Sequence, residues 1–154
     1  MVKKSAGILL YRQINNTLEF FLVHPGGPFW KGKDLHAWTI PKGEFKDENP
    51  FDAAKRELKE ETGIVINENT AIELKPVKQK SGKIIYAWAI EKDADETAIF
   101  SNTFELEFPP KSGKYITIPE IDKAGWLDKE GAREKIIKGQ FKLIEELMTK
   151  LEKV

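Results

Sequence analysis

GEFKDENPFDAAKRELKEETGI, residues 43–64, carries both the boundaries of a helix and a cluster of acids. Asn49 is a good N-cap, Pro50 suits the first helical position where no N–H is needed, and Gly63 supplies a left-handed stop. The spacing therefore predicts a helix from about Pro50 to Thr62. Phe51, Ala54 and Leu58 then share an apolar face, whereas Glu57, Glu60 and Glu61, at i, i+3 and i+4, project together from another. A solvated acidic surface is the plain reading of a bare Glu-x-x-Glu-Glu, but electrostatics argues against it. Glu60 and Glu61 occupy the last turn, where the helix dipole penalises each anion by about 0.3–1 kcal/mol. Glu57 also repels Glu61 one turn on. Arg56 and Lys59 are too few to offset this, so a further cation is expected. Carboxylates without His or Cys select a hard, oxygen-loving ion, magnesium or else manganese, and magnesium held this way serves to grip phosphate oxygens.

Outward from this stretch the chain reads as α+β. Ala6 to Tyr11 and Leu18 to Val23 are apolar, β-favouring runs around the turn Asn15-Asn16-Thr17, as in a hairpin. Ala71 to Val77, Lys83 to Glu91, Phe104 to Phe108 and Tyr115 to Ile118 are further strand candidates. A second helical pattern covers about Lys129 to Lys153 with a break near Gly139; its Phe141, Ile144, Leu147, Met148 and Leu151 recur at helical spacing, as a stripe that packs on a sheet. Strands with helices in separate places argue for an α/β/α sandwich.

Composition narrows the function. The 154 residues suffice for one domain, 1–154, with a real core. Lys and Arg, 25 in all, balance 25 Asp and Glu without a basic block, so a dedicated nucleic-acid or membrane-surface protein is not expected. The absence of Cys excludes disulfides, thiolate zinc sites and Cys nucleophiles. The apolar run before Arg12 is too short for a signal peptide, and a cytoplasmic location is the expectation.

Residues 43–64 also resemble the signature of the Nudix hydrolases: Gly43, Glu48, Arg56-Glu57-Leu58, Glu60-Glu61 and Gly63-Ile64. One departure is visible. Four residues separate Gly43 from Glu48 where the family has five, while the seven from Glu48 to Arg56 are kept. The similarity continues in Ser5-Ala6-Gly7, in HPGGPFW (24–30), AWTIPKGE (37–44), SNTFELEFPP (101–110) and PEIDKAGW (119–126), and is strongest toward a bacterial subgroup of nucleotide pyrophosphohydrolases, with hydrolases of diadenosine tetraphosphate further off.

The resemblance implies an α/β/α sandwich around a mixed sheet. It implies metal binding by Glu57, Glu60, Glu61 and the Gly43 carbonyl, and a Glu48–Arg56 pair that orients these ligands. A further acid from a later loop would be Glu120, six residues before Trp126; Glu105 and Glu107 compete, but a period-two strand puts them on a polar, solvent-exposed face. Either Glu57 or Glu120 would be the general base for attack of water on a diphosphate linkage. Lys42 is placed to contact phosphate, whereas Lys31, Lys33, Lys111 and Lys114 read as solvated and His24 as no catalyst. Trp30, Trp38 and His36 are candidate substrate contacts, with core packing the rival reading for Trp38. The expected substrate is a small nucleotide, a dinucleoside polyphosphate ahead of a nucleoside triphosphate or an ADP-ribose type. A catalytically silent nucleotide-binding module is the competing class.

Overall fold

In the computed structural model, which describes residues 2–67 and 70–152, a mixed sheet lies between one helix and a helical pair. The sequence places β1 (Lys4–Ile14) at its centre, because seven consecutive residues, Ser5 to Tyr11, are buried and only a strand covered on both faces needs that. β1 turns through Asn15-Asn16, both at positive φ, into antiparallel β2 (Thr17–Pro25). On its other side β1 runs parallel to β6 (Ile84–Glu91). Short β4 (Ile72–Glu73) and β5 (Val77–Lys78) line the outer edge of β6, and β9 (Ile121–Leu127) pairs with β2.

Alternation along the central strands divides the core. Ala6, Ile8, Leu10, Phe21, Val23 and Ile90 face α1 (Pro50–Thr62), with Ala53, Ala54 and Leu58 filling that side. Leu9, Phe20, Leu22, Ile85, Ala87 and Ala89 face α2 (Lys129–Lys135) and α3 (Phe141–Glu152), whose Leu143, Ile144 and Leu147 are buried while Phe141, Met148 and Leu151 pack at the margin. The expected α/β/α sandwich is therefore present, and the C-terminal stripe does pack on the sheet. Among the described residues no helix is long and apolar enough to cross a membrane.

β1 and β2 pair only over Tyr11–Ile14 and Thr17–Phe20, and toward the start of β1 they part. Residues 38–44 fill the gap. Thr39 bridges to Val23, and β3 (Lys42–Glu44) pairs antiparallel with Ser5 to Gly7. Gly7 is needed for this close approach, since a Cβ there would stand 2.6 Å from the Pro41 carbonyl oxygen. The splayed sheet thus delivers Gly43 to the flank of α1.

One expectation needs correction. Ala71 to Val77 is not one strand: Pro76 offers no N–H to the ladder, and pairing stops between β4 and β5. β3 and β9 were not anticipated, being a three-residue strand and one without clean alternation. The C-terminal helix does break near Gly139, because Ile136 turns extended to bridge Trp38, and the Ile137 N–H donates to the Trp38 carbonyl at 2.8 Å. A 3-10 turn, Lys138–Gln140, then leads into α3, and Lys153 lies outside the described residues. Finally, β7 (Thr103–Glu107) and β8 (Tyr115–Pro119) form a separate two-stranded ribbon.

Candidate active site

α1 begins and ends as its sequence requires. The Asn49 side chain accepts from Phe51 N and Asp52 N, and Gly63, at φ 81°, donates to the Lys59 carbonyl. The three glutamates, however, do not project together into solvent. Glu57 and Glu61, 7% and 9% exposed, turn inward against β3, and only Glu60 stays half-buried. Glu61 accepts from the Lys42 N–H at 3.1 Å. The Glu57 carboxylate lies where any Cβ on Gly43 would have to stand, so a side chain there would force Glu57 to move.

Arg56 ties the acids together. Its Nη2 donates to Glu48 at 2.6 Å, and its Nη1 to Glu57 at 2.8 Å and to Glu60 at 3.2 Å. The Glu48–Arg56 pair thus forms across the shortened loop, and the Glu48 hydrogen bond foremost holds the guanidinium protonated. A cavity of about 890 Å³ lies beyond Glu48, under residues 44–48.

Glu120 reaches the same place through a relay of backbone bonds. Phe100 N donates to Thr62 O, Asn102 N to Glu60 O, Glu120 N to Asn102 O and Gly26 N to Glu120 O, all at 2.8–3.0 Å. Two of these satisfy carbonyls that the end of α1 leaves over. Electrostatics registers the convergence. Burial, then Glu60, pushes the Glu57 and Glu120 carboxyls up, Arg56 opposing at Glu57; burial pushes Glu61 up to about 8 despite the Lys42 N–H and ammonium. Burial, followed by Lys83, pushes the Lys42 ammonium down.

These residues suit a hard divalent cation. Four carboxylates and a carbonyl are all-oxygen donors, the Gly43 cradle brings backbone against carboxylate, and the acids share one guanidinium. Among the described residues no three acids or histidines converge as a closed coordination group, since Arg56 stands between Glu57 and Glu60.

Glu61 has a consequence for stability. Its folded-state pKa of about 8 lies above its value in an unfolded chain, so between about pH 4.5 and 8 the folded state binds the extra proton and loses stability as pH rises. In a chelator, the melting temperature is expected to fall across that window by the equivalent of about 5 kcal/mol, and to level off above it. A flat profile in thermal melts would show that Glu61 ionises freely. Metal affinity offers a second check: Glu48→Gln is expected to weaken it about 10-fold by loosening Arg56, and an unchanged calorimetric titration would uncouple Glu48 from the acids.

The remaining sequence candidates fall elsewhere. Trp38 is corrected from substrate contact to core: it is 6% exposed, its Nε1 donates to Asp34 at 2.9 Å, and His24 lies edge-on at 5.4 Å. Trp30 is half-buried against the core under Lys33 Nζ, 5.7 Å from the ring centroid. His36 is exposed, yet its Nδ1–H donates to the Ile136 carbonyl at 3.0 Å, which pins the loop to the end of α2. His24 is buried between Asp122 at 2.9 Å and the Lys33 carbonyl at 2.7 Å, a structural role. Glu105 and Glu107 bond within the ribbon, to Thr117 Oγ1 and Gly113 N. Sequence reasoning missed Asn102, whose backbone joins Glu60 to Glu120; its only signal was the segment SNTFELEFPP.

The chain is similar to several known proteins. A bis(5'-nucleosyl)-tetraphosphatase (asymmetrical) of Caenorhabditis elegans is 32% identical over 116 residues, 75% of this chain, and the match spans 63% of that protein. The enzyme of the same name from Rattus norvegicus is 32% identical over 108 residues, 62% of this chain and 69% of its own. Among solved structures, a C. elegans Ap4A hydrolase in a binary complex superimposes with a TM-score of 0.68 at 21% identity, covering 97% of this chain and 99% of that one. The Nudix domain of Shewanella oneidensis NrtR complexed with ADP-ribose also scores 0.68, at 16% identity, over 98% of this chain and 89% of that one. At such identities the two structures speak for the fold. The profile of the NUDIX domain matches residues 1–147, nearly the whole length, and the chain belongs to the Nudix hydrolase family.

Proposed function

We propose that this protein is a magnesium-dependent pyrophosphohydrolase that cleaves a diphosphate linkage of a dinucleoside polyphosphate by attack of water on phosphorus. The observation that carries the hydrolytic reading is the inward turn of Glu57 and Glu61 against β3, joined by Glu60, Glu120 and Arg56. The substrate class rests on the two tetraphosphatases that the sequence matches.

Glu57, Glu60, Glu61, Glu120 and the Gly43 carbonyl would hold the metal, manganese being the other fitting ion. When bound, it supplies a lowered pKa for the attacking water and neutralises charge on the bridging oxygens. Glu57 takes the water's proton: burial raises its carboxyl above the ordinary carboxylate value, which makes it the stronger base, and Arg56 fixes its direction. Glu120, also raised, is the second choice. Lys42 stands beside these acids as the cation for a phosphate oxygen. Trp30 would offer its open edge to a base or ribose, with His36 at the far end of the same loop.

Incubation with diadenosine tetraphosphate, ATP and ADP-ribose, with and without Mg2+, in 18O-labelled water tests this reading. AMP and ATP from the dinucleotide, metal-dependent and with the label on one product phosphate, are expected. Binding without turnover of any of the three would make the protein a silent nucleotide-binding module. Trp30→Ala is expected to raise KM for the dinucleotide about 10-fold with kcat preserved; an early-melting variant with unchanged KM would leave Trp30 a core residue.

A further inference from the structure

The β7–β8 ribbon does something that a two-stranded ribbon ordinarily cannot afford: it shows water an apolar face. Register puts Phe104 opposite Ile118 and Leu106 opposite Ile116, all on one side, with Glu105, Glu107 and Thr117 on the other. Only Ile118 is buried. Phe104 is 41% and Ile116 38% exposed, so neither earns its place by packing. The ribbon leans on the loop after β2. A Cβ on Gly27 would meet Ile118 Cδ1 at 2.6 Å, and Phe29, itself 52% exposed, stands edge-on to Phe108 at 6.0 Å. HPGGPFW therefore meets SNTFELEFPP and PEIDKAGW, more than seventy residues further along the chain.

Both ends of the ribbon are anchored at the acids. Asn102, immediately before β7, donates its N–H to Glu60 O; Glu120, immediately after β8, donates its own to Asn102 O. An exposed aromatic surface thus begins two residues from Asn102, whose backbone bonds to Glu60 and Glu120, two of the acids proposed to hold the metal. Lysines 31, 111 and 114, all exposed, lie in the two segments that flank it. An occupant here has to be flat and apolar on its faces, joined to a polyanion, and small enough to leave the phosphates at Glu60 and Glu120. A nucleobase meets all three, and aromatic faces hold bases by stacking with little regard to base identity.

We propose that Phe29, Phe104 and Ile116, on the loop after β2 and the β7–β8 ribbon, form the nucleobase subsite of the substrate. This rests on the nucleotide pyrophosphohydrolase reading above and extends it to residues outside the signature. Phe104 and Phe29 act here by contact with the base, whatever its identity, and none of the three takes part in the chemistry.

The test is kinetic. Phe104→Ser and the double variant Phe29→Ala/Phe104→Ser, at exposed positions, are expected to melt within about 2 °C of the parent protein. KM for diadenosine tetraphosphate is expected to rise about 10-fold in the first and further in the second, with kcat within twofold. Adenosine should inhibit them about 10-fold less well, while the inhibition constant of inorganic tripolyphosphate, which has no base, should not move. Phe104→Trp should keep the parent KM. Unchanged KM and adenosine inhibition in the double variant would overturn the subsite. So would a parent dimer that the variants dissolve, seen by sedimentation, with KM untouched, since the face would then serve a second copy of the chain. If the parent protein cleaves none of the nucleotides, the pyrophosphohydrolase reading itself fails and takes the subsite with it; cleavage by the parent with unaffected variants removes the subsite alone.

Discussion

Glu61→Gln is expected to lower kcat/KM for a nucleotide substrate about 10³-fold, some 4 kcal/mol of transition-state stabilisation, and at the same time to raise the melting temperature of the metal-free protein at pH 7. The two effects have one cause. Glu61 is buried under β3 with its carboxyl raised to about 8, so folding at pH 7 must either protonate it or bury a charge that Lys42 only partly offsets. Gln keeps the shape and the oxygen that accepts from the Lys42 N–H but needs no proton. A gain on the order of 5 °C follows from roughly 2–3 kcal/mol in a chain of this length, and the pH slope between about 4.5 and 8 should flatten with it. Saturating Mg2+ should reverse the order, stabilising the parent protein and not the variant. Turnover near that of the parent would remove Glu61 from the reaction. Equal melting temperatures in chelator at pH 7 would mean that its burial carries no electrostatic penalty.

Gly43→Ala is expected to be nearly as costly, through space and not through charge. The added Cβ would overlap the Glu57 carboxylate, and the backbone carrying it is held in the β1–β3 ladder. Glu57 must swing away, and with it goes the 2.8 Å bond from Arg56 that orients it. A loss of about 10²–10³ in kcat is expected, since a displaced base or ligand affects the transition state directly, with little loss of stability because only the end of the Glu57 side chain has to move. Gly139→Ala makes a fair control, because a Cβ there meets nothing within 4 Å. Melting curves and steady-state rates of the pair decide the matter. A Gly43→Ala protein with full activity would show that β3 and Glu57 need not touch for catalysis.

Much of this molecule was open to reading from local sequence, and the limits of that reading are physical. Helix α1 came out as expected from cap to stop, because Asn49, Pro50 and Gly63 act within one turn of where they stand. The β1–β2 hairpin was equally local, set by two adjacent asparagines that accept positive φ. The acids of the site were visible as a cost in helix electrostatics before any partner was known. By contrast β9 has no alternation to betray it, and β3 is strand only because β1 and β2 part to admit it.

What the sequence by itself determined, then, was the identity of the chemical groups and the helix that bears them, since propensity, capping and i, i+4 spacing are properties of neighbouring residues. Tertiary structure alone decided which way those groups face. Glu57 and Glu61 turn inward because β3 arrives beside them from a gap in the sheet; Trp38 becomes core because α2 ends early to bridge it, while Phe29 is left outside against the ribbon. Glu120 joins Glu60, sixty positions earlier in the chain, through backbone bonds from Asn102. Such placements depend on contacts between distant segments, whose entropic cost is met only when the whole sheet has formed, and no window of neighbouring residues contains them.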